Sequence, residues 1–184
     1  MVRNLLIILR GFSDDEVKRQ VRRLTGNRHI RVRSEALKSL LHYRDPNADR
    51  LLLKELASPD PARQLAAVQN AEMSPNPDVA GTLLAMLDTG NFKEYSLEIK
   101  CAAVQSLAAS GNIRALPSFV AILRSTSLFN ARKLNQLKTE IVRALPRFPA
   151  VEARPLLQEL AASGGKTIAP VAADTLKRFQ GGAP

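Results

Sequence analysis

Seven cations, Lys18, Arg19, Arg22, Arg23, Arg28, Arg31 and Arg33, fall in one stretch that contains no acidic residue. Guanidinium and ammonium groups at that density can neutralise phosphates, and about two to four such contacts give weak, salt-sensitive, sequence-independent binding to a polyanion. A second constellation lies in two segments without helical periodicity, holding Phe92, Lys93 and Tyr95, then Phe129, Arg132 and Lys133. Rings beside cations in a long loop are the usual ingredients of a protein-binding hot spot. Each constellation also has a plainer reading. A basic helix face keeps a protein solvated, and loop rings can fold back over helix ends and cap the local core.

The remaining reactive side chains do not assemble into a site. Cys101 is the single cysteine, which rules out an internal disulfide, and it occupies a position that Ser34 and Thr139 fill in similar segments. A small, inert, buried side chain is expected there. His29 and His42 lack partners at metal-ligand spacing. Asp14, Asp15 and Glu16 suit the first turn of a helix, where acids complement the macrodipole. Gly164-Gly165-Lys166-Thr167 lacks the earlier glycine and the preceding strand of a phosphate-binding loop, and it reads as a turn between helices. No metal, no cofactor and no catalytic activity are expected.

These residues must be positioned by helices. Of the 184 residues, 45% are apolar and 4% aromatic with no Trp, a composition that suits closely packed helices built on Leu, Ala, Val and Ile. Strand-like alternation is missing. The apolar run Leu5–Leu9 is too short for a membrane span or a signal-peptide core, so a cytoplasmic protein without a transmembrane segment is expected. Net charge is +10, concentrated at the start: residues 1–50 hold twelve Lys/Arg against six Asp/Glu.

One pattern recurs along the chain. Val32-Arg33-Ser34-Glu35-Ala36-Leu37-Lys38-Ser39-Leu40 returns as Ile99–Leu107 and Leu137–Leu145, more weakly as Arg63–Ala71, and last as Val171–Phe179. Aligned on Leu6, Leu37, Val68, Val104, Val142 and Leu176, the spacings are 31, 31, 36, 38 and 34 residues. Each copy but the last is followed by a second helix with a leucine-rich stripe, such as Leu51, Leu52, Leu53 and Leu56, or Leu116, Phe119, Val120 and Leu123. A near-constant period of this length marks a solenoid, in which stacked helix pairs share one core. The longer spacings come from insertions at Thr89–Glu98 and Ser125–Gln136, both between a second helix and the next first helix.

Local signals set the expected boundaries. Ser13 and Glu16 can form a capping box. Asn47, Asp78 and Asn112 sit where second helices need caps. Pro117 and Pro155 suit first turns. The first helix, residues 2–10, is apolar on more than one side and wants neighbours, either upstream repeats of a longer chain or a second subunit.

Ser58-Pro59-Asp60-Pro61-Ala62-Arg63 with Leu65-Ala66-Ala67-Val68 resembles the linker and first helix of bacterial HEAT repeats, the short type that phycobilin-lyase relatives also carry. Ile30-Arg31-Val32-Arg33 and Glu98-Ile99-Lys100 look like further copies of its basic position. Asp45-Pro46-Asn47-Ala48 and Asn112–Pro117 are similar to its internal turns. The resemblance runs from about residue 1 to residue 179. It implies an all-α, right-handed superhelix of about five helix pairs plus a terminal helix: repeats at about 1–26, 27–58, 59–89, 90–125 and 126–163, then 166–180. It also implies that the basic position, at Arg33, Arg63, Lys100 and Lys138, ties one repeat to the next. Relatives that are enzymes fit poorly. Deoxyhypusine hydroxylases hold iron with His-Glu pairs, whereas Ile30 and Tyr43 follow the two histidines here. HEAT-like DNA glycosylases use Trp, which this chain lacks.

A non-catalytic scaffold that binds a protein partner on its concave face and inserted loops is therefore expected. The alternative is sequence-nonspecific nucleic-acid binding through Lys18, Arg19, Arg22, Arg23, Arg28 and Arg31.

Overall fold

The computed structural model describes residues 2–12, 14–90 and 92–181. Among them are eleven α-helices, three short 3-10 turns and no strand. The all-α expectation holds. The residues form two compact units, dividing between Thr82 and Leu83.

The first unit contains α1 (Val2–Leu9), α2 (Asp15–Leu24), α3 (Ile30–His42), α4 (Ala48–Leu56) and α5 (Pro61–Asn70), and its boundary falls inside α6 (Pro77–Met86). The first helices of the repeats lie side by side here, with α3 packed against both α1 and α5. The second helices back onto them: α2 on α3, and α4 on α3 and α5. The second unit contains α7 (Leu97–Ala109), α8 (Leu116–Arg124), α9 (Ala131–Ala144), α10 (Ala150–Ser163) and α11 (Gly165–Gly181). It has the same order, with α9 between α7 and α11, α8 on α9, and α10 on α11.

The repeated apolar face is what produces these ladders. Leu6, Val68, Val104 and Val142 have no exposed surface and Leu37 is buried, as a single stripe at helical period requires. Leu176, on the last helix, is half-buried. Along the second helices the stripe is narrower than the leucine content suggests. Leu52 and Leu56 are buried on α4 while Leu51 and Leu53 are half-buried. On α10, Ala153 and Leu157 are buried and Leu156 and Leu160 are half-buried.

Boundary chemistry departs from expectation in instructive ways. Ser13 lies outside the described residues, and the cap on α2 is Asp14, whose Oδ1 accepts from the Val17 amide at 2.9 Å. Asn112 does cap, accepting from the Arg114 amide at 3.1 Å, but it opens the 3-10 turn Ile113–Ala115 ahead of α8. Asp78 is not the cap of α6. Asn76 accepts the Asp78 amide at 2.8 Å, and Pro77 starts the helix. Asn47 sits at the cap position of α4 without a side-chain bond to a helix amide; Asp45 Oδ1 instead receives the Asn47 amide at 2.9 Å. Pro117 falls in the first turn of α8 as expected, whereas Pro155 lies inside α10, which begins a turn earlier at Ala150.

Two turns share one geometry. After α7, Gly111 takes a φ of +64°, with Gly111 N donating to Ala108 O and Asn112 N to Leu107 O. After α3, Arg44 does the same at φ +52°, with Arg44 N donating to Leu41 O and Asp45 N to Leu40 O. This pair of bonds satisfies carbonyls that a helix end leaves over, and it requires a left-handed residue that is usually glycine. Of Gly164-Gly165-Lys166-Thr167, expected as a turn, Gly164 alone separates the two helices, and α11 begins at Gly165. A Cβ on Gly164 would strike the Leu160 carbonyl, and Gly165 has φ +66°.

Candidate interaction surface

The basic run of α2 and α3 is divided by its partners. Arg22 lays its Nε and Nη2 on Asp45 Oδ2 at 2.8 and 2.5 Å, and the Asp45 side chain is fully buried. A buried carboxylate held this way is structural: it anchors α2 to the turn between α3 and α4. Arg19 pairs with Glu16 one turn back at 2.6 Å, and both are exposed. Arg28 Nε lies 3.4 Å from His29 Nε2. Lys18 is half-buried, while Arg23 and Arg31 are exposed without an acidic partner among the described residues. The run that is continuous in sequence therefore leaves two fully available guanidiniums.

The basic position of the repeat has a definite task. Four residues before the aligned core residue, each of four first helices carries a donor aimed at the end of the preceding second helix or just past it. Arg33 Nη1 donates to Asn27 O at 2.7 Å and Arg28 O at 3.2 Å. Gln64 Nε2 donates to Leu56 O at 2.8 Å. Lys100 Nζ donates to Met86 O at 2.8 Å and Asp88 O at 2.5 Å. Lys138 Nζ donates to Ser125 O at 2.5 Å. Helix ends leave carbonyls without intrahelical partners, and cations are favoured there. Burial lowers the pKa of both Lys100 and Lys138, with Asp88 and Glu94 opposing the shift at Lys100. Arg63 was expected in this register, but Gln64 occupies it. Arg63 instead grips Glu55 at 3.0 and 2.5 Å, and that hydrogen bond raises its pKa.

The two inserted segments behave differently. Phe92 is buried and Tyr95 half-buried, and the Lys100 ammonium sits 5.2 and 5.6 Å from their ring centres. Lys133 Nζ also lies over Phe92, 6.0 Å from the ring centre. Phe92 and Tyr95 thus cover a buried cation instead of forming a rim, and Lys93 is exposed beside them. The segment before α9 does the opposite. Phe129 is 98% exposed and its neighbour Leu128 is 95% exposed, with Arg132 and Lys133 also exposed in the first turn of α9. Leu128 was missed by a search for rings beside cations. The available signal was an apolar pair, Leu128-Phe129, between Ser127 and Asn130 in a segment with no helical period.

No protein-family model matches the chain, and no curated protein matches it.

Other candidates are quiet. Cys101 is half-buried, and its thiol is pushed up to about 11 by burial and then by the Glu140 carboxylate. A thiolate is scarce at neutral pH under those conditions, as the inert reading expects. No group of three or more His, Cys, Asp or Glu among the described residues is placed to hold a metal. No helix among them is long and apolar enough to cross a membrane. Helix α1 buries Leu6 alone and exposes Val2, Leu5, Ile7 and Ile8, the apolar face for which either upstream repeats or a second subunit was expected. Its other face is fixed to α3: Glu35 receives both Arg3 and Arg10, and Tyr43 Oη donates to Leu9 O at 2.6 Å.

Proposed function

We propose that the chain is a solenoid of HEAT-like helix pairs, a right-handed superhelix of about five pairs with a terminal helix. It acts as a non-catalytic scaffold in the cytoplasm. The near-constant spacing from Leu6 to Leu176 supports this reading, as does the same helix order within each unit. The recurring donor at Arg33, Gln64, Lys100 and Lys138 supports it further, because it serves the joint between successive pairs.

The scaffold docks a protein partner through the loop that carries Leu128 and Phe129, and the exposure of these two side chains is the observation that carries the reading. An adjacent leucine and phenylalanine left almost wholly in water forgo about 1.5–3 kcal/mol each of burial. A partner with an apolar groove recovers that energy, and Arg132 and Lys133 favour an acidic margin around the groove. The test is the double variant Leu128→Ser/Phe129→Ser. It is expected to keep its unfolding curve and to lose affinity for the partner by about thirtyfold or more. Unchanged partner binding by the double variant would sink the reading.

Arg23 and Arg31, exposed and without an acidic partner among the described residues, favour a second reading, weak polyanion binding with help from Lys18 and Arg28. With so few free cations, binding to random duplex DNA should be weaker than micromolar at physiological salt and should fall with a shallow salt slope. Fluorescence anisotropy at low and physiological salt decides it. Weak, salt-dependent binding that is lost on reversing Arg23 and Arg31 to Glu would support this reading, and no binding even at low salt would overturn it.

A further inference from the structure

The second unit carries an open groove of about 960 Å³, where the end of α9 and the start of α10 meet α11. That is the upper end of the range for ligand sites, roughly 300–1,000 Å³. Pro146, Ala150, Pro170 and Val171 give it an apolar lining, and Arg143, Arg154 and Arg178 give it charge. Helix α11 follows the groove from Pro170 to Phe179. That stretch is about 13 Å of helix axis, a length that about four residues of extended chain cover.

The charges do not balance within the groove. Asp174 is its single lining carboxylate among the described residues, and Arg178 Nη2 already holds it at 2.9 Å. Arg154 keeps its guanidinium over the Phe179 ring, 6.0 Å from the centre, and Arg143 is exposed. Neither has an acidic partner among the described residues. Two guanidiniums beside an apolar lining are thus left uncompensated. The start of α10 adds to the positive field, because Ala150 is its first residue and Pro149 before it supplies no side-chain acceptor.

Beyond Arg143 the charge changes sign. Arg143 also borders a smaller groove between α7 and α9, where Glu98 and Glu140 stand. A long polyanion continuing that way would meet like charge, whereas a short acidic segment would not.

We infer that this groove docks a short, extended, acidic segment of a partner protein, with Arg143 and Arg154 receiving two carboxylates and Pro146, Pro170 and Val171 receiving an apolar side chain. The inference does not rest on the scaffold's loop, since Leu128 and Phe129 precede the opposite end of α9 and take no part.

The test is a titration of the full chain followed by amide ¹H–¹⁵N spectra. The probe is a capped pentapeptide, aspartate-glutamate-valine-aspartate-glutamate. Saturable shifts at Ala150, Val171 and Phe179 with a Kd below about 1 mM are expected. A neutral counterpart, with asparagine and glutamine in place of the acids, should bind at least about tenfold more weakly. The variant Arg143→Gln/Arg154→Gln changes two exposed side chains, so it should keep its unfolding curve and bind about five- to thirtyfold more weakly. Asp174→Asn is the decisive variant. It removes the groove's carboxylate and releases Arg178, so it should tighten binding about threefold, a gain that damage to the fold would not produce. No saturable shift from the acidic peptide at about 5 mM would overturn the inference. So would a neutral counterpart that binds as well, unchanged binding by the double variant, or weaker binding by Asp174→Asn. A strand of ten thymidines that shifts the same amides and binds more tightly than the peptide would give the groove to nucleic acid and overturn the inference too.

Discussion

Lys100 Nζ donates to the backbone carbonyl of Met86 at 2.8 Å, from a side chain with no exposed surface at all. A fully buried lysine is rare unless paired. Here its partners are two carbonyls and two aromatic faces in place of a carboxylate contact. The ammonium closes the end of α6, and Phe92 and Tyr95 shield it. This explains why the first inserted segment holds its rings inward.

Lys100→Met keeps most of the stem but leaves the Met86 and Asp88 carbonyls without their donor. Each unmatched carbonyl costs about 1–3 kcal/mol, partly offset because a buried charge is also removed, so a net loss of about 2 kcal/mol is expected. The pH dependence has a definite sign. Burial lowers the folded pKa of Lys100 below 10.5, so between the two values the unfolded chain binds more protons. The contribution of Lys100 is therefore largest above 10.5 and falls as pH drops through the lowered value. Denaturant unfolding should show the gap between wild type and Lys100→Met widening as pH rises towards 10.5. A gap that narrows over that window would mean a raised pKa and contradicts burial as the dominant influence on Lys100.

Arg44 holds a left-handed backbone that Gly111 holds in the equivalent turn. The left-handed cost for a residue with a Cβ is about 1–2 kcal/mol, and the extra freedom of glycine in the unfolded chain returns about half of that. Arg44→Gly should therefore stabilise the protein by about 0.5–1 kcal/mol, and Gly111→Ala should destabilise it by a similar amount. Thermal unfolding of the two variants checks the pair. Destabilisation by Arg44→Gly would show that its side chain matters more than its backbone.

Arg22 and Arg23 are neighbours with opposite fates. Arg22 holds the buried Asp45 carboxylate, whereas Arg23 is exposed and has no acidic partner among the described residues. Truncating Arg22 strands a buried charge, and with part of the guanidinium in solvent the expected loss is about 2 kcal/mol. Arg23→Ala should stay within about 0.5 kcal/mol of wild type. A double-mutant cycle on Arg22 and Asp45 should return a coupling of about 1–2 kcal/mol. Equal, small effects at both arginines would mean that the pair contributes nothing.

Much of this architecture is legible in the residue order, because a helix buries one face at a fixed period. Leu6, Leu37, Val68, Val104 and Val142 were identifiable from spacing alone, and all are buried. Caps were harder to place. An Asn or Asp can serve an amide from more than one offset, so Asn76 displaced Asp78 and Asp45 took over from Asn47. The joint between pairs was half visible. Reading it as a basic position located Arg33, Lys100 and Lys138 but selected Arg63 over Gln64, because the requirement is a donor for a carbonyl and not a charge. Loops carry no period, so periodicity does not separate the buried Phe92 from the exposed Phe129. Partners also stay hidden at that level: Arg22 lies 23 positions from the carboxylate that claims it.

The central claim is that Leu128 and Phe129 form a docking point for a protein partner. The most direct measurement places a photo-crosslinking phenylalanine analogue at position 129 in cells that express the full chain, with the same analogue at exposed Ala121 as the control. A discrete adduct with one protein from position 129, absent from position 121 and diminished by Leu128→Ser, is the predicted result. No adduct from position 129, or the same diffuse adducts from both positions, would contradict the claim.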